Sequence, residues 1–278
     1  MKKINRRSFL AAAGLTAAAL ALTACGGSAS STASSTASSA ASSEAASTSA
    51  AAELTTVEAG KLTMATNATF PPYEMTTDSG EIEGIDVDTA KAIAEKLGLE
   101  LQIDDMDFDA ALLSVQQGKA DIVMAGVTVT DERKAVMDFS GSYATGIQSI
   151  IVPEGSDIAT PDDLAGKKIG TQRGTTGYIY CSDDFGDENV VAYDSGLTAV
   201  QALNNGQVDA VVIDNAPAQE YVAANPGLVI LDTSYAEEDY AIGMAKGSAL
   251  EDAINAALEE LKADGTLQSI VDKYITAE

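Results

Sequence analysis

Leu113–Ala125 (LSVQQGKADIVMA) is echoed by Val200–Ile213 (VQALNNGQVDAVVI). Each copy reads as the end of a helix, a glycine turn at Gly118 or Gly206, an aspartate at Asp121 or Asp209, and then a buried strand. The echo reaches upstream: Lys61–Asn67 (KLTMATN) and Lys168–Gln172 (KIGTQ) are Lys-led apolar strands that run into small-residue loops, Ala68-Thr69 and Gly174-Thr175-Thr176. Two similar α/β lobes are implied. Ligands of open α/β sheets collect at the carboxyl ends of strands, so two such lobes facing each other make a cleft with two walls.

Working outward, residues 86–97 (DVDTAKAIAEKL) open on capping acids and carry Ala90, Ile93, Ala94 and Leu97 at helical spacing. A strand over 99–103, a helix over 108–117 and a strand over 122–125 complete a β-α-β-α-β series, which points to a mostly parallel sheet. The second lobe repeats the plan with strands at 168–172, 190–192 and 208–213 and helices from 175 and over 197–204. Between the lobes, 147–152 (IQSIIV) and 240–245 are apolar without a helical stripe, as expected of two strands crossing at a hinge. Helices over 249–262 and 266–274, separated by Asp264-Gly265, are expected to return to the first lobe. The expected fold class is therefore α/β: two mostly parallel sheets flanked by helices and joined by a two-strand hinge. Residues 54–146 with 241–278 form lobe one, and 147–240 form lobe two.

The first 24 residues carry Lys2, Lys3, Arg6 and Arg7, no acid, and an apolar run from Phe9 to Ala24. That run falls short of the roughly 20 apolar residues that span a bilayer, so it reads as an export signal. Arg6-Arg7 before Ser8-Phe9-Leu10 is similar to a twin-arginine signal, but the match is partial and the export route stays open. Leu22-Thr23-Ala24-Cys25 resembles a bacterial lipobox, which makes Cys25 the expected lipidation site and the lipid the only membrane contact. In the segment 25–53, residues 26–52 are almost wholly Ser, Ala and Thr, with Glu44 as their one charge. Such a segment buries too little to offset its ordering entropy and reads as a tether, with a span of about 30 Å as a flexible coil.

Composition excludes several functions. The chain has 42 acidic against 16 basic residues, and the four charges of the leader are all basic, so the remainder is more acidic still. Nucleic acid and anionic lipid surfaces are disfavoured as partners. There is no histidine, which removes the commonest general base and metal ligand. The pairs Asp104-Asp105 and Asp183-Asp184 lack the spacing of a calcium loop, and no metal or cofactor is expected. Once Cys25 is committed, Cys181 has no disulfide partner and reads as a small buried apolar residue.

Gly126-Val127-Thr128-Val129-Thr130-Asp131-Glu132-Arg133, directly after the lobe-one strand, resembles the GxTxTxER motif of solute-binding proteins that serve polar amino-acid ABC importers. Met137-Asp138-Phe139-Ser140, Gly84-Ile85-Asp86-Val87-Asp88, Asp107-Phe108, Gly174-Thr175-Thr176-Gly177 and Asp264-Gly265-Thr266 fall in that family's order, and the resemblance covers nearly all of residues 61–274. It implies a type II periplasmic-binding-protein-like fold, a free amino acid as ligand, ABC permease subunits as partners, a monomer, and an extracytoplasmic location. A free amino acid presents a carboxylate and an ammonium a few ångströms apart, and a buried site must satisfy both. Arg133 offers a planar fork to the carboxylate. Thr128, the Gly126 carbonyl and the N–H of Thr176 at a helix start supply further partners. Asp214 accepts from the ammonium. Phe70, Phe108 and Tyr73 are expected on the lobe-one wall. Asn67 and Gln172, at the two echoed strand ends, match positions that read the ligand's side chain. Many relatives have Asp where Asn67 stands, so the lost charge favours a neutral polar ligand, whereas an inward Arg173 would favour an acidic one. Read from the residues alone, Arg133 also fits a solvated helix end and Asp214 a helix N-cap. A cleft enzyme of the same fold, similar to cyclohexadienyl dehydratases, and a ligand sensor domain remain the alternatives to a non-enzymatic receptor.

Overall fold

A computed structural model describes residues 54–275. The export signal, Cys25 and the Ser/Ala-rich tether lie outside the described residues.

The first lobe begins with β1 (Lys61–Thr66), a three-stranded flap of β2 (Thr69–Phe70), β3 (Glu74–Thr76) and β4 (Ile82–Glu83), and α1 (Ile85–Leu97). It continues through β5 (Glu100–Asp105), α2 (Phe108–Gln116), β6 (Ile122–Val123) and the short α3 (Asp131–Val136). A long strand, β7 (Met137–Pro153), leads to β8 (Ile169–Gln172), α4 (Thr176–Phe185), β9 (Val190–Tyr193), α5 (Gly196–Asn204), β10 (Ala210–Asp214) and α6 (Asn215–Ala224). The chain returns by β11 (Leu228–Ile230) and β12 (Ala236–Ala245) to α7 (Glu251–Ala263) and α8 (Thr266–Tyr274). The flap is absent from the sequence expectation, and α6 enters it only through the N-cap reading of Asp214. Asn215-Ala216-Pro217 reads locally as a loop, yet Pro at the third helical position lies in the first turn, where its missing N–H has no intrahelical partner to lose.

The two lobes are internally equivalent. In the first, β1 pairs in parallel with β5 and β6; in the second, β8 pairs in parallel with β9 and β10. The sequence echo is explained by a shared turn. Gly118 and Gly206 both have left-handed φ, +66° and +67°, a conformation that costs little only for glycine. Asp121 then accepts from Thr63 N–H at 2.8 Å and from Val57 N–H at 2.8 Å, and Asp209 accepts from Lys168 N–H at 2.8 Å. Each aspartate ties the strand it precedes to the start of the neighbouring parallel strand.

Where two separate sheets are expected, the strands form one continuous sheet in the order β5-β1-β6-β12-β7-β10-β8-β9, with β11 also on β7. The joining strands β7 and β12 pair antiparallel with each other, while β12 also pairs with β6 and β7 with β10. Helices α7 and α8 pack with α1 in the first lobe's core, where Ile254, Leu258, Leu261 and Leu267 meet Ala90, Ile93 and Ala94. The second core gathers Ile151, Val200, Leu203, Val211, Ile213 and Tyr221. Cys181 is buried beside Ile169 and Val212, and burial pushes its thiol up to about 12, which keeps it an inert apolar residue.

The two echoed aspartates differ in burial, since the bonds of Asp121 are largely shielded and that of Asp209 is exposed. Asp121→Ala is expected to lower unfolding free energy by about 1–3 kcal/mol and Asp209→Ala by about 1 kcal/mol or less, because a buried N–H left without its acceptor keeps its full desolvation penalty. Urea unfolding of the two variants side by side reads the difference.

Candidate functional site

The carboxyl ends of β1, β8, β6 and β10 converge on one cleft between the lobes. Asn67 directly follows β1, Gln172 ends β8, Gly126 and Thr128 follow β6, and Asp214 ends β10. Phe70 comes from the flap, Phe108 from the start of α2, Arg133 from α3 and Thr176 from the start of α4. All nine residues selected from the sequence therefore line the same cleft, together with Glu74, Gln148, Thr175 and Tyr240. Two others do not. Tyr73 is buried behind the wall, stacked on Phe70 at 5.8 Å and edge-on to Tyr240 at 5.4 Å. Arg173 is half-exposed and faces Asp194 at 3.6 Å, so the support it would lend to an acidic ligand is gone.

Arg133 is only 8% exposed. Its Nη1 donates to the Thr128 carbonyl at 2.8 Å, its Nη2 donates to the Gly174 carbonyl on the second lobe at 3.1 Å, and its guanidinium lies over the Phe108 ring at 5.4 Å. Thr130 caps the short helix below by accepting the Arg133 N–H, which fixes where the side chain starts. Burial pulls the guanidinium below its ordinary value and the nearby Glu238 pulls it back up; arginine stays charged throughout.

Asp214 meets both expectations at once. Its Oδ1 accepts from Ala216 N–H at 3.1 Å as the N-cap of α6, and its Oδ2 accepts from Ile147 N–H at 2.7 Å. It is 2% exposed, and burial pushes its carboxyl up to about 6 against the pull of these N–H groups and of Tyr240. Gly146 makes the arrangement possible: a Cβ there would stand 2.6 Å from the Tyr240 hydroxyl and 2.7 Å from Asp214 Oδ2.

Three further acids surround the cleft, and sequence reasoning missed two of them. Glu74 is fully buried beside Asp86, and burial together with that neighbour holds its carboxyl well above the usual carboxylate range. Asp86, the Asp of the Gly84–Asp88 motif, accepts from Gly126 N–H at 3.0 Å and the Tyr143 hydroxyl at 2.8 Å, and burial pushes it to about 6. Glu238 sits on β12 and accepts at Oε2 from Thr128 Oγ1 at 3.1 Å, Thr176 Oγ1 at 2.9 Å and Gln148 Nε2 at 3.0 Å. In the sequence Glu238 belongs to the acidic run Glu237-Glu238-Asp239, which resembles a solvated charge cluster. The available signal was its two-residue spacing from Tyr240, which puts both side chains on one face of a strand.

The lobes touch across the cleft. Gln172 Nε2 donates to Asn67 Oδ1 at 2.9 Å, and Asn67 Nδ2 is held by the Met106 carbonyl at 2.9 Å. The Tyr221 hydroxyl donates to the Thr69 carbonyl at 2.5 Å. Gly174, with φ of +74°, brings its backbone against Asp109 of the first lobe, where a Cβ would overlap the carboxylate. Phe70 packs against the cores of both lobes. The Arg133 guanidinium and the Asp214 carboxylate thus line a narrow cleft together with Glu74, aromatic faces and the uncharged amides of Asn67, Gln148 and Gln172. Such an arrangement suits a small molecule carrying both an anion and a cation.

Among the described residues, no helix is long and apolar enough to cross a membrane, and no group of three or more acidic or cysteine side chains is placed to hold a metal ion.

The comparisons with known proteins agree with this geometry. The model of the family described as bacterial extracellular solute-binding proteins, family 3, matches residues 62–277. The chain is 32% identical over 283 residues to a probable histidine-binding protein of Neisseria gonorrhoeae, covering 99% of this chain and 98% of that one. It is 34% identical over 228 residues to the arginine-binding extracellular protein ArtP of Bacillus subtilis, covering 78% of this chain and 87% of that one. Among solved structures, an ancestral arginine-binding protein bound to glutamine superposes with a TM-score of 0.75 at 43% identity, covering 78% of this chain and 99% of that one. The arginine-, lysine-, histidine-binding protein ArtJ of Geobacillus stearothermophilus gives a TM-score of 0.75 at 34% identity, covering 78% of this chain and 96% of that one. With its two lobes, its doubly walled cleft and a match over most of its length, the chain belongs to the bacterial extracellular solute-binding proteins of family 3.

Proposed function

We propose that this chain is a lipid-anchored receptor that captures a free amino acid, neutral and polar in its side chain, and delivers it to the permease of an ABC importer. One observation carries the reading: Arg133 and Asp214, buried cation and buried anion, line one cleft from elements of different lobes. Residues 54–146 with 241–278 act as one jaw and 147–240 as the other, closing about β7 and β12. The ligand carboxylate takes the Arg133 fork and the N–H of Thr176 at the start of α4, and the ammonium takes Asp214 and the Gly126 carbonyl. Closure is favoured only when both poles are engaged, because a ligand shifts such an equilibrium by its differential affinity for the two states. Asn67 and Gln172 supply donors and acceptors without charge, which suits an amide or hydroxyl side chain. Residues 22–25 (LTAC) provide the anchor and 25–53 the reach.

A second reading for the side chain is a cationic amino acid. The cleft surroundings hold four carboxyl groups, those of Glu74, Asp86, Asp214 and Glu238, against the one guanidinium of Arg133, and several relatives are named for arginine or histidine. A thermal-shift and calorimetry panel of the twenty amino acids and cystine separates the readings, since a saturating ligand stabilises by RT ln(1 + [L]/Kd). Asparagine, glutamine, serine or threonine giving the largest shift supports the first; arginine, lysine or histidine supports the second; no shift with any of them removes the function itself.

Arg133→Ala is expected to weaken binding of the best amino acid about 30-fold or more, since truncating one partner of a buried charge pair costs about 2–5 kcal/mol. Circular dichroism on the same sample establishes that the fold survives. The Asp214 carboxyl gives a pH dependence of definite sign. Its folded pKa of about 6 lies above the ordinary aspartate value, so the native state binds more protons than the unfolded chain between about pH 4 and pH 6. Stability contributed at this site therefore falls as pH rises through that window. Binding runs the opposite way: the ammonium requires the ionised carboxylate, so affinity is flat above about pH 7 and drops as pH falls through 6. Asp214→Asn is expected to bind more weakly and to lose that dependence, read by titrations from pH 5 to 8. Finally, Cys25→Ser is expected to abolish labelling of the chain by a clickable palmitate analogue in cells and to release it from the membrane fraction.

A further inference from the structure

Glu238 is 6% exposed and touches both lobes and the joining strands through a single oxygen. The segment around Thr128 lies antiparallel on β12, with Thr128 bridged to Tyr240, Val129 N–H donating to Asp239 at 3.0 Å and Ala241 N–H donating to Val127 at 3.1 Å. Glu238, two residues before Tyr240, therefore projects on the same face as Tyr240, toward the Thr128 side chain. Thr176 arrives from the first turn of α4 on the opposite lobe, and Gln148 from β7. Thr128, Thr176 and Gln148 line the cleft. Glu238 stands one layer behind them, and its other oxygen, Oε1, has no partner among the described residues.

The chemistry of a hydroxyl gives this cluster a direction. A threonine Oγ has one proton and two lone pairs, and an ionised carboxylate only accepts. With the amide of Gln148 also donating to Oε2, both hydroxyl protons are drawn to the carboxylate. The Thr128 and Thr176 oxygens, 3.4 Å apart, then have no proton left for each other or for the cleft. What they offer a ligand is lone pairs. Lone pairs accept from an ammonium and repel a carboxylate. We propose that Glu238 is a positioning residue of the amino-acid site, which takes the hydroxyl protons of Thr128 and Thr176, commits both oxygens to accepting from the ligand's ammonium, and joins the two lobes through one carboxylate oxygen. The ligand's carboxylate is left to the Arg133 fork and backbone N–H groups, so the two poles of the site are set by a group that never touches the ligand. This rests on reading the cleft as an amino-acid site.

The test uses the full chain and whichever of the twenty amino acids or cystine binds it most tightly, alongside the corresponding acid that lacks the α-amino group, measured by competition. Glu238→Gln is expected to weaken the amino acid at least about tenfold and the des-amino acid by less than about threefold. Thr176→Val, which removes the hydroxyl and keeps the shape, is expected to do the same. In the double variant the two losses are expected not to add, because both break one relay. Equal losses for both ligands, or additive losses in the double variant, would mean that Glu238 only props the closed lobes, and would overturn the proposal. So would tighter binding by Glu238→Gln. Should Glu238→Gln fail to fold, Thr176→Val and Thr128→Val against the two ligands decide; should the des-amino acid bind too weakly to compete, additivity decides. If the wild-type chain binds none of the amino acids, the amino-acid reading of the cleft falls and this proposal with it, an outcome distinct from binding that ignores Glu238.

Discussion

The antiparallel pairing of β7 with β12 is the constraint on which the rest of the structure depends. Each lobe alone has a parallel sheet whose inner edge is exposed, β6 in the first and β10 in the second. The joining strands cover both edges, β12 on β6 and β7 on β10, and then pair with each other. No edge is left open between the lobes, so the exposed ladder groups that invite aggregation are avoided there. The same pairing also sets the floor of the cleft, because Gln148 on one strand and Glu238 and Tyr240 on the other project into the gap between the lobes. The ladder is interrupted around Tyr240 and Ala241, where its register shifts. Such irregularities bend a strand and re-aim a side chain, and here the residue at the break is the tyrosine that reaches Asp214.

Electrostatics explains how this floor accommodates its buried charges. Isolated charges are costly in a dry interior unless paired and hydrogen-bonded. Arg133 is satisfied by two carbonyls and an aromatic face, Asp214 by two backbone N–H groups, and Glu238 by two hydroxyls and an amide. Glu74 follows another route: fully buried and pressed against Asp86, its carboxyl is pushed well above the usual carboxylate range. Burial leaves the charged groups preorganised. On the proposed function, a zwitterion entering between them exchanges its hydration for partners that are already oriented.

Several features were legible in the chain because they repeat or because backbone geometry demands them. The left-handed glycines at Gly118 and Gly206 and the aspartates that follow are local devices, so both copies could be recognised without knowing the fold. Helix α1 announced itself by the acids of its first turn and by the helical spacing of Ala90, Ile93, Ala94 and Leu97; in the structure Gly98, with a left-handed φ of +70°, closes its end. Strand ends mark where ligands gather, a rule that fits Asn67, Gln172 and Asp214, whereas Gly126, Thr128 and Arg133 were picked out by the family resemblance of the segment 126–133. The boundaries of the joining strands were too short, because β7 runs from Met137 and its exposed stretches near Gly141 and Thr145 hide the period of a strand. Helix α6 was foreshadowed only by the N-cap reading of Asp214, because Asn-Ala-Pro otherwise reads as a loop.

By itself, then, the sequence determined the repeated β-α-β unit, the turns that build it, and which residue types stand at the strand ends, since each depends on interactions within a few residues. Tertiary structure alone decided which acids are buried. Glu238 sits in a run of three acids and Glu74 between Tyr73 and Met75, and apart from the spacing of Glu238 from Tyr240 nothing local distinguishes either from a solvated charge. Their burial is set by neighbours far along the chain: Thr128, Gln148 and Thr176 for one, Asp86 for the other. A carboxyl group's solvation, and with it its chemistry, is a property of the packed interior that no short stretch of sequence contains.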